Sequence, residues 1–464
     1  MSFLGAAQNV TGSAYLLETN GVRLLVDCGL YQESHFRGRN WAPFPVTPQT
    51  IDAVLLTHAH LDHCGLLPKL VHDGFRGKIY CTAATAELSG IFLMDYAHLQ
   101  EHEAEFRQER HERDALGAPY PEAPLYTTSH VKACFPLFHP VRYESSIEVG
   151  DGIEATFYDA GHVLGSSTIK FEIKQGGERR TLLFSGDIGR WGRPILRDPT
   201  LFNDADYVVI ESTYGDRLHE NHKSTEETLA DIINSTQKAG GNIVVPSFAL
   251  ERSQEILYCL NRLLIEGRIP HLMIYLDSPM ATSVTEVFKH HIDLLDEETV
   301  ELLRQGKSPF EFHGLRIVRT IEESMVIDHT GETAIIIAGS GMCTGGRIRH
   351  HLTSNISRPE STILFVAYQA TGTLGRQIVD GSKQVNISGH MYAVSARIIQ
   401  MNGLSGHADR GELFRWLSGL GERHLHLFVT HGEPEVACHF AQFLREKTHW
   451  EISVPKYRDT VILN

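Results

Sequence analysis

Thr57-His58-Ala59-His60-Leu61-Asp62-His63 sets three imidazoles and one carboxylate within six consecutive positions, directly after the apolar run Ala53-Val54-Leu55-Leu56. The run has the length and composition of a buried strand. A strand that ends in such a cluster aims side chains from a stiff edge into a loop. Neutral imidazole and carboxylate are the donors that suit zinc. A solvated surface loop is the plainer alternative, but it leaves the density of histidines unexplained.

Working outward, short β-rich runs cover Arg23 to Val26, Lys78 to Cys81, Thr168 to Ile173, Thr181 to Phe184 and Tyr207 to Ile210. Several of these and their neighbours end on a small or apolar residue followed by a donor: Val26-Asp27, Gly161-His162, Gly186-Asp187 and Ile210-Glu211. Metal sites at the rim of a sheet have this pattern. Two metals need about six protein ligands plus solvent, and His58, His60, Asp62, His63, His162, Asp187 and His431 form such a set. Asp27 is expected to orient the cluster by hydrogen bonding rather than to ligate. The stretch from about Ala86 to Arg113, rich in Glu, Arg and His, reads as a helix with a solvated face.

After about residue 212 the pattern changes to strand, turn and helix. Asn242 to Val245 leads through Pro246-Ser247-Phe248 into a helical stretch from Leu250 to Leu264, and His271 to Leu276 leads through Asp277-Ser278-Pro279 into another. Ala334 to Ile337 leads through Gly339-Ser340-Gly341 towards Arg347. This alternation predicts a parallel α/β sheet. The C-terminal stretch then returns to donors at strand ends: Gly406-His407-Ala408-Asp409, and Leu425 to Val429 followed by Thr430-His431-Gly432. The chain therefore reads as one α/β domain, residues 1–208 and 393–464, interrupted by a second at 209–392.

A chain of 464 residues exceeds one ordinary core, and 42% hydrophobic with 21% charged residues is common globular composition. The seven cysteines are scattered, none at Cys-x-x-Cys spacing, which speaks against a cysteine zinc ribbon or a disulfide framework. No membrane span or secretory signal is visible, so a cytoplasmic location is expected. The 42 basic and 57 acidic residues give a net charge of −15. That excludes a generally basic nucleic-acid surface, and any nucleic-acid role must rest on local cations and metal.

His-x-His-x-Asp-His resembles the signature of the metallo-β-lactamase superfamily. Six further motifs sharpen the resemblance, in this order: Glu211-Ser212-Thr213-Tyr214-Gly215, Pro246-Ser247-Phe248-Ala249, Asp277-Ser278-Pro279-Met280-Ala281, Ser340 to Gly346, Gly406-His407-Ala408-Asp409 and Thr430-His431-Gly432. Together they resemble the β-CASP nucleases, in particular the bacterial relatives of the cleavage and polyadenylation factor endonuclease subunit. The resemblance implies a metallo-β-lactamase αβ/βα sandwich with an inserted β-CASP α/β domain and an active site in the interdomain cleft. It implies two zinc ions, with manganese as the alternative: His58, His60 and His162 on one, Asp62, His63 and His431 on the other, and Asp187 between them. Glu211, His407 and His431 match the family's three β-CASP motifs, and a histidine at the third favours RNA. His407 is the candidate general acid, oriented by Glu211, and Asp62 counts among both ligands and catalytic residues. Products with 3′-hydroxyl and 5′-phosphate ends are implied.

Ser247, Arg252, Ser340, Gly341, Gly345, Gly346, Arg347 and Arg376 are candidates to contact RNA phosphates, because small residues expose backbone N–H groups and arginine binds phosphate bidentately. Phe248 is expected in the core. The expected activity is internal cleavage of single-stranded RNA, with no membrane partner, no accessory RNA-binding domain and room for a homodimer. A 5′-exoribonuclease of the ribonuclease J type, a DNA nuclease, a catalytically dead scaffold and a small-molecule metallohydrolase are the rival readings.

Overall fold

A computed structural model describes residues 1–114, 123–219, 225–327, 331–367, 369–370, 372–401, 403, 405–421 and 425–463, with the backbone alone for 106–114. They fall into two compact units. The first comprises Met1–Arg193, Asp198–Leu218 and His407–Asn464, and the second Pro194–Arg197 and His219–Gly406.

The first unit holds two sheets. One has six strands in the order Ser2–Phe3, Tyr15–Thr19, Val22–Val26, Ala53–Leu55, Lys78–Thr82 and Phe138–Val141. The other has seven, in the order Glu451–Ser453, His426–Val429, Tyr207–Ile210, Glu178–Phe184, Ser167–Gln175, Ile153–Asp159 and Ser146–Gly150. Alternation along the strands sends Tyr15, Leu17, Leu24 and Val26 of one sheet against Phe157, Phe171, Phe184 and Phe428 of the other, in one buried cluster. The opposite face of the first sheet, with Leu25, Val54 and Ile79, packs on Leu67, Leu70, Leu93 and Val131 from helices Leu67–His72, Ala83–Asp114 and Thr128–Cys134. The opposite face of the second, with Val208, Ile210 and Leu427, packs on Leu413, Trp416, Phe440 and Leu444 from helices Arg410–Leu417 and Pro434–Lys447. The result is the four-layer αβ/βα sandwich expected. Helix Ala83–Asp114 is longer than the pattern suggested by a few residues at its start. Among the described residues no helix is long and apolar enough to cross a membrane.

The second unit is built on a six-stranded, all-parallel sheet in the order Leu315–Ile317, Met273–Asp277, Ala334–Ala338, Ile243–Pro246, Thr362–Phe365 and Arg397–Gln400. Its central strand Ala334–Ala338 is buried throughout, as a parallel strand covered on both faces must be.

By chain contacts the second unit runs from His219 to Gly406, with Pro194–Arg197. Tyr214 forms a β-bridge with Asp409, which keeps the segment after Ile210 in the first unit. Arg397–Gln400 pairs in parallel with Thr362–Phe365 and so belongs to the second.

Candidate metal centre

The first unit gathers its donors where strands end. Leu55 closes a central strand, and Thr57 follows with its N–H on the carboxylate of Asp27, 2.8 Å away. His60 caps a single helical turn, Leu61–Cys64, that carries Asp62 and His63. His162 follows strand Ile153–Asp159, Asp187 follows Glu178–Phe184, Glu211 follows Tyr207–Ile210, and His431 follows His426–Val429. Two close approaches explain why glycine precedes Asp187. Gly186 has φ +57°, and a Cβ there would stand 2.9 Å from both the Ser167 carbonyl and the Thr57 Cβ. His431 itself sits at φ +49°, a left-handed conformation unusual outside glycine.

Two donor groups result. His58, His60, His162 and Asp187 form one; Asp62, His63 and His431 form the other. Asp187 faces both: Oδ2 lies 3.4 Å from His58 and 3.5 Å from His162, while Oδ1 lies 3.3 Å from His63 and 3.6 Å from His431. Oδ1 is buried and accepts no hydrogen bond.

The donors fit metal better than they fit one another. Nδ1 of His60 stands 3.0 Å from Nε2 of His58 and 3.3 Å from Nε2 of His162. An imidazole nitrogen offers one hydrogen or one lone pair, so Nδ1 of His60 can make a full hydrogen bond to only one of these two neighbours. In the second group, Nδ1 of His63 donates to Oδ2 of Asp27 at 2.7 Å, and its Nε2 stands 2.9 Å from His431 Nε2; burial disfavours the charged form of both rings, but neighbouring carboxylates, Asp187 foremost, outweigh it and raise both pKa values. Burial pushes the pKa of His58, His60 and His162 down, His60 to about 3, so these imidazoles stay neutral in their ligating form. Asp62 stays ionised: burial opposes its charge, but the hydrogen bond and charge of His431 and the charge of His63 outweigh it.

Beside these groups stands a pair of different character. His407 Nδ1 lies 3.2 Å from both carboxylate oxygens of Glu211, to which it can only donate. Glu211 is 1% exposed, and its oxygens also accept from the N–H of Ile188 at 2.7 Å and of Thr213 at 3.4 Å. Both oxygens are thus occupied, which suits an orienting group. Burial disfavours the charged His407, but Glu211, and secondarily Asp187 and Asp62, overcome it and raise its pKa to about 9. Its ring lies against that of His162, with centroids 4.6 Å apart.

Sequence reasoning missed the hydroxyls. Thr57 Oγ1 is within 3.1 Å of His58 Nδ1 while donating to Asp27, and Thr213 Oγ1 is 3.3 Å from His431 Nδ1. Each threonine lies next in sequence to His58 or close behind Glu211, and that adjacency was the available signal.

In the second unit, three of the candidate RNA contacts are turned to other uses. Arg252 is buried and paired with Glu255. Arg347 pairs with Asp277 and donates to the carbonyls of Val318 and Arg319, at 3.2 and 2.7 Å. Asp277 is fully buried and also accepts from Ser324 and from His351, the latter at 2.7 Å; burial works against its charge, but these bonds hold it below the usual carboxylate range. Ser247 is buried and accepts from Ser253 at 3.0 Å. Arg376 lies nearer the surface, on Asp380 at 2.9 Å. Ser340 Oγ accepts from the N–H of Thr344 at 3.0 Å and of Gly345 at 3.3 Å, which closes the loop that contains Gly341 and Gly346. Phe248 is 37% exposed rather than in the core, and its ring covers Gly341, where a Cβ would come within 2.9 Å.

A sandwich that converges seven His and Asp donors defines a metal-dependent hydrolase. The chain belongs to the β-CASP family of metallo-β-lactamase nucleases. Residues 16–185 match a metallo-β-lactamase superfamily domain, residues 253–378 the β-CASP domain, and residues 391–455 the Zn-dependent metallo-hydrolase RNA specificity domain. The chain is 37% identical over 458 residues to Ribonuclease TTHA0252 of Thermus thermophilus, covering 98% of each. It is 31% identical to Transcription termination factor FttA of Methanosarcina mazei, covering 99% of this chain and 71% of that protein. In fold it is similar to a protein of unknown function from Enterococcus faecalis, with a TM-score of 0.55 at 11% identity, covering 100% of this chain and 99% of the other.

Proposed function

We propose that this protein is a two-zinc ribonuclease that cuts single-stranded RNA internally and leaves 3′-hydroxyl and 5′-phosphate ends. The observation that carries the reading is the pairing of two donor groups around Asp187 with the separate His407–Glu211 pair. The full-length similarity to a chain named a ribonuclease, and the matched RNA specificity domain, support RNA as the substrate.

His58, His60 and His162 would hold one ion, Asp62, His63 and His431 the other, with Asp187 shared. Divalent cations held there supply the positive charge that lets an anionic phosphodiester accept attack and that makes water a stronger acid. The remaining work belongs to the chain. Water adds to phosphorus and the bond from phosphorus to O3′ breaks; Asp62, ionised, accepts the water's proton. The departing O3′ takes a proton from Nε2 of His407, the ring atom opposite the one bonded to Glu211. Glu211 fixes the tautomer and keeps the imidazolium charged at neutral pH. The phosphate stays on the downstream fragment, which gives the stated ends.

The test uses zinc-loaded protein with an end-labelled single-stranded RNA and the matching DNA, with and without chelator. Internal, chelator-sensitive cuts confined to RNA are expected. Mononucleotides released from the 5′ end would replace the reading by 5′-exonucleolysis, and no cleavage of either strand would refute it.

A further inference from the structure

Against a net charge of −15, one surface of the first unit runs the other way. Arg39, in the helical turn Arg37–Asn40, and Arg458, in the tail, lie over aromatic rings, and exposed Arg37 and Lys456 adjoin those rings in sequence. The Arg39 guanidinium lies 4.2 Å from the Phe36 ring centroid and 4.0 Å from that of Tyr457; Arg458 lies 5.3 Å from the same Tyr457 ring. His35, exposed, lies on Phe36 with centroids 4.1 Å apart. Among the described residues no carboxylate lies within ion-pair distance of any of the four cations. The two nearest in sequence are engaged by backbone: Glu33 accepts from the N–H of Val10 at 3.0 Å and Thr11 at 3.1 Å, and Asp459 from that of Lys456 at 2.8 Å.

The surface is also tied to the metal centre. Glu33 anchors Val10 and Thr11, and the same N-terminal loop carries Ala6, whose carbonyl accepts the N–H of His431 at 2.7 Å. Gln8 of that loop donates to the Val454 carbonyl of the tail at 3.4 Å. One loop therefore separates the cations from a metal-group donor.

Resting on the ribonuclease reading, we propose that this cationic-aromatic surface is a binding track for the single-stranded RNA outside the scissile phosphate. Cations unpaired with carboxylates beside an exposed ring are the elements that bind a single strand without sequence preference: charge follows the phosphates, and the exposed His35 ring can stack on a base, with Phe36 and Tyr457 half-buried beneath the cations. Arg39, held between Phe36 and Tyr457, organises the rings; Arg37, Lys456 and Arg458 meet the phosphates.

The experiment compares the full chain with an Arg37→Ala/Arg458→Ala variant, and with a Lys456→Glu variant as a second, independent surface change. Binding is measured on a His407→Ala background, so that the RNA stays intact, and cleavage on the active enzyme. Affinity for a strand of roughly 20 nucleotides should fall in both variants. For the double variant the slope of log K against log salt should become shallower by about 1.4, two phosphate contacts at about 0.7 each. The kcat/KM for a strand of roughly 4 nucleotides, too short to reach beyond the centre, should stay unchanged. Unchanged affinity and slope for the long strand would overturn the track and assign the surface to another partner, such as a protein. Equal losses on short and long strands would overturn it as well. If the His407→Ala protein with its native surface bound no RNA at all, the ribonuclease reading itself would fall.

Discussion

Each unit buries a set of polar side chains, and the two sets differ in what completes them. In the second unit Asp277 receives Arg347, His351 and Ser324, so its charge is answered by residues of the same chain. In the first, Asp187 Oδ1 has no hydrogen bond among the described residues, and His60 Nδ1 stands between two imidazole nitrogens of which it can bond only one fully. A buried polar group must be partnered. The closed set is completed within the chain, and the open set has the donors to hold cations. Residue type alone does not separate the two; the partner count does.

The largest effect should come from the group that faces both halves of the open set. Asp187→Ala is expected to lose bound zinc and to reduce RNA cleavage by more than about 10³-fold, since it removes the carboxylate shared by both donor groups. Metal analysis of the purified variant checks this, and retention of two zincs would break the ligand assignment. His407→Ala comes next. Cleavage should fall by about 10²- to 10⁴-fold, the usual range for a lost general acid, with zinc content unchanged. The pH profile sharpens it. An acid with its pKa raised to about 9 works while protonated, so the rate should decline as pH rises through that value. In Glu211→Gln the neutral amide no longer favours the imidazolium, and the decline should move to lower pH. A limb that stays in place would remove Glu211 from its orienting role.

The closed set should respond differently. Asp277→Asn leaves Arg347 without its buried counter-charge, and breaking such a pair costs about 3–5 kcal/mol. A lower midpoint in thermal unfolding is expected, with the salt dependence of RNA binding untouched. A shallower salt slope with unchanged stability would return Arg347 to phosphate contact and erase the contrast between the units.

The legible part of this molecule was the part where chemistry and secondary structure coincide. The sandwich and the parallel sheet follow from apolar runs such as Val208 to Ile210 and Ile335 to Ile337, and the donors were found because a strand end followed by His or Asp is a rare pattern. The partners of the arginines were only partly legible, for a physical reason. Arg252 and Glu255 are one helical turn apart and announce themselves as a pair, but Asp277 and Arg347 are joined only through the fold. The pairing of Arg397–Gln400 with Thr362–Phe365 was not legible either, because it is joined only through the fold. The cations at Arg37, Arg39, Lys456 and Arg458 were invisible as a surface because they come from opposite ends of the chain.

The smallest effect tests the contrast at its edge. Arg376 and Asp380 are one helical turn apart, with side chains 40% and 53% exposed, so solvent screens their attraction. Exposed pairs of this spacing contribute about 0.3–0.5 kcal/mol, and Arg376→Ala should barely move the unfolding midpoint. It is also the candidate phosphate contact whose guanidinium can leave its carboxylate with the least penalty. If Arg376 meets RNA, the variant should shift the salt slope by about 0.7, one phosphate on a single strand, while stability stays level. Stability and slope thus move in opposite pattern to Asp277→Asn. If neither moves, the exposed pair is a solvated surface contact, and the RNA contacts of the second unit must be sought in the backbone of the Ser340–Gly346 loop rather than in its arginines.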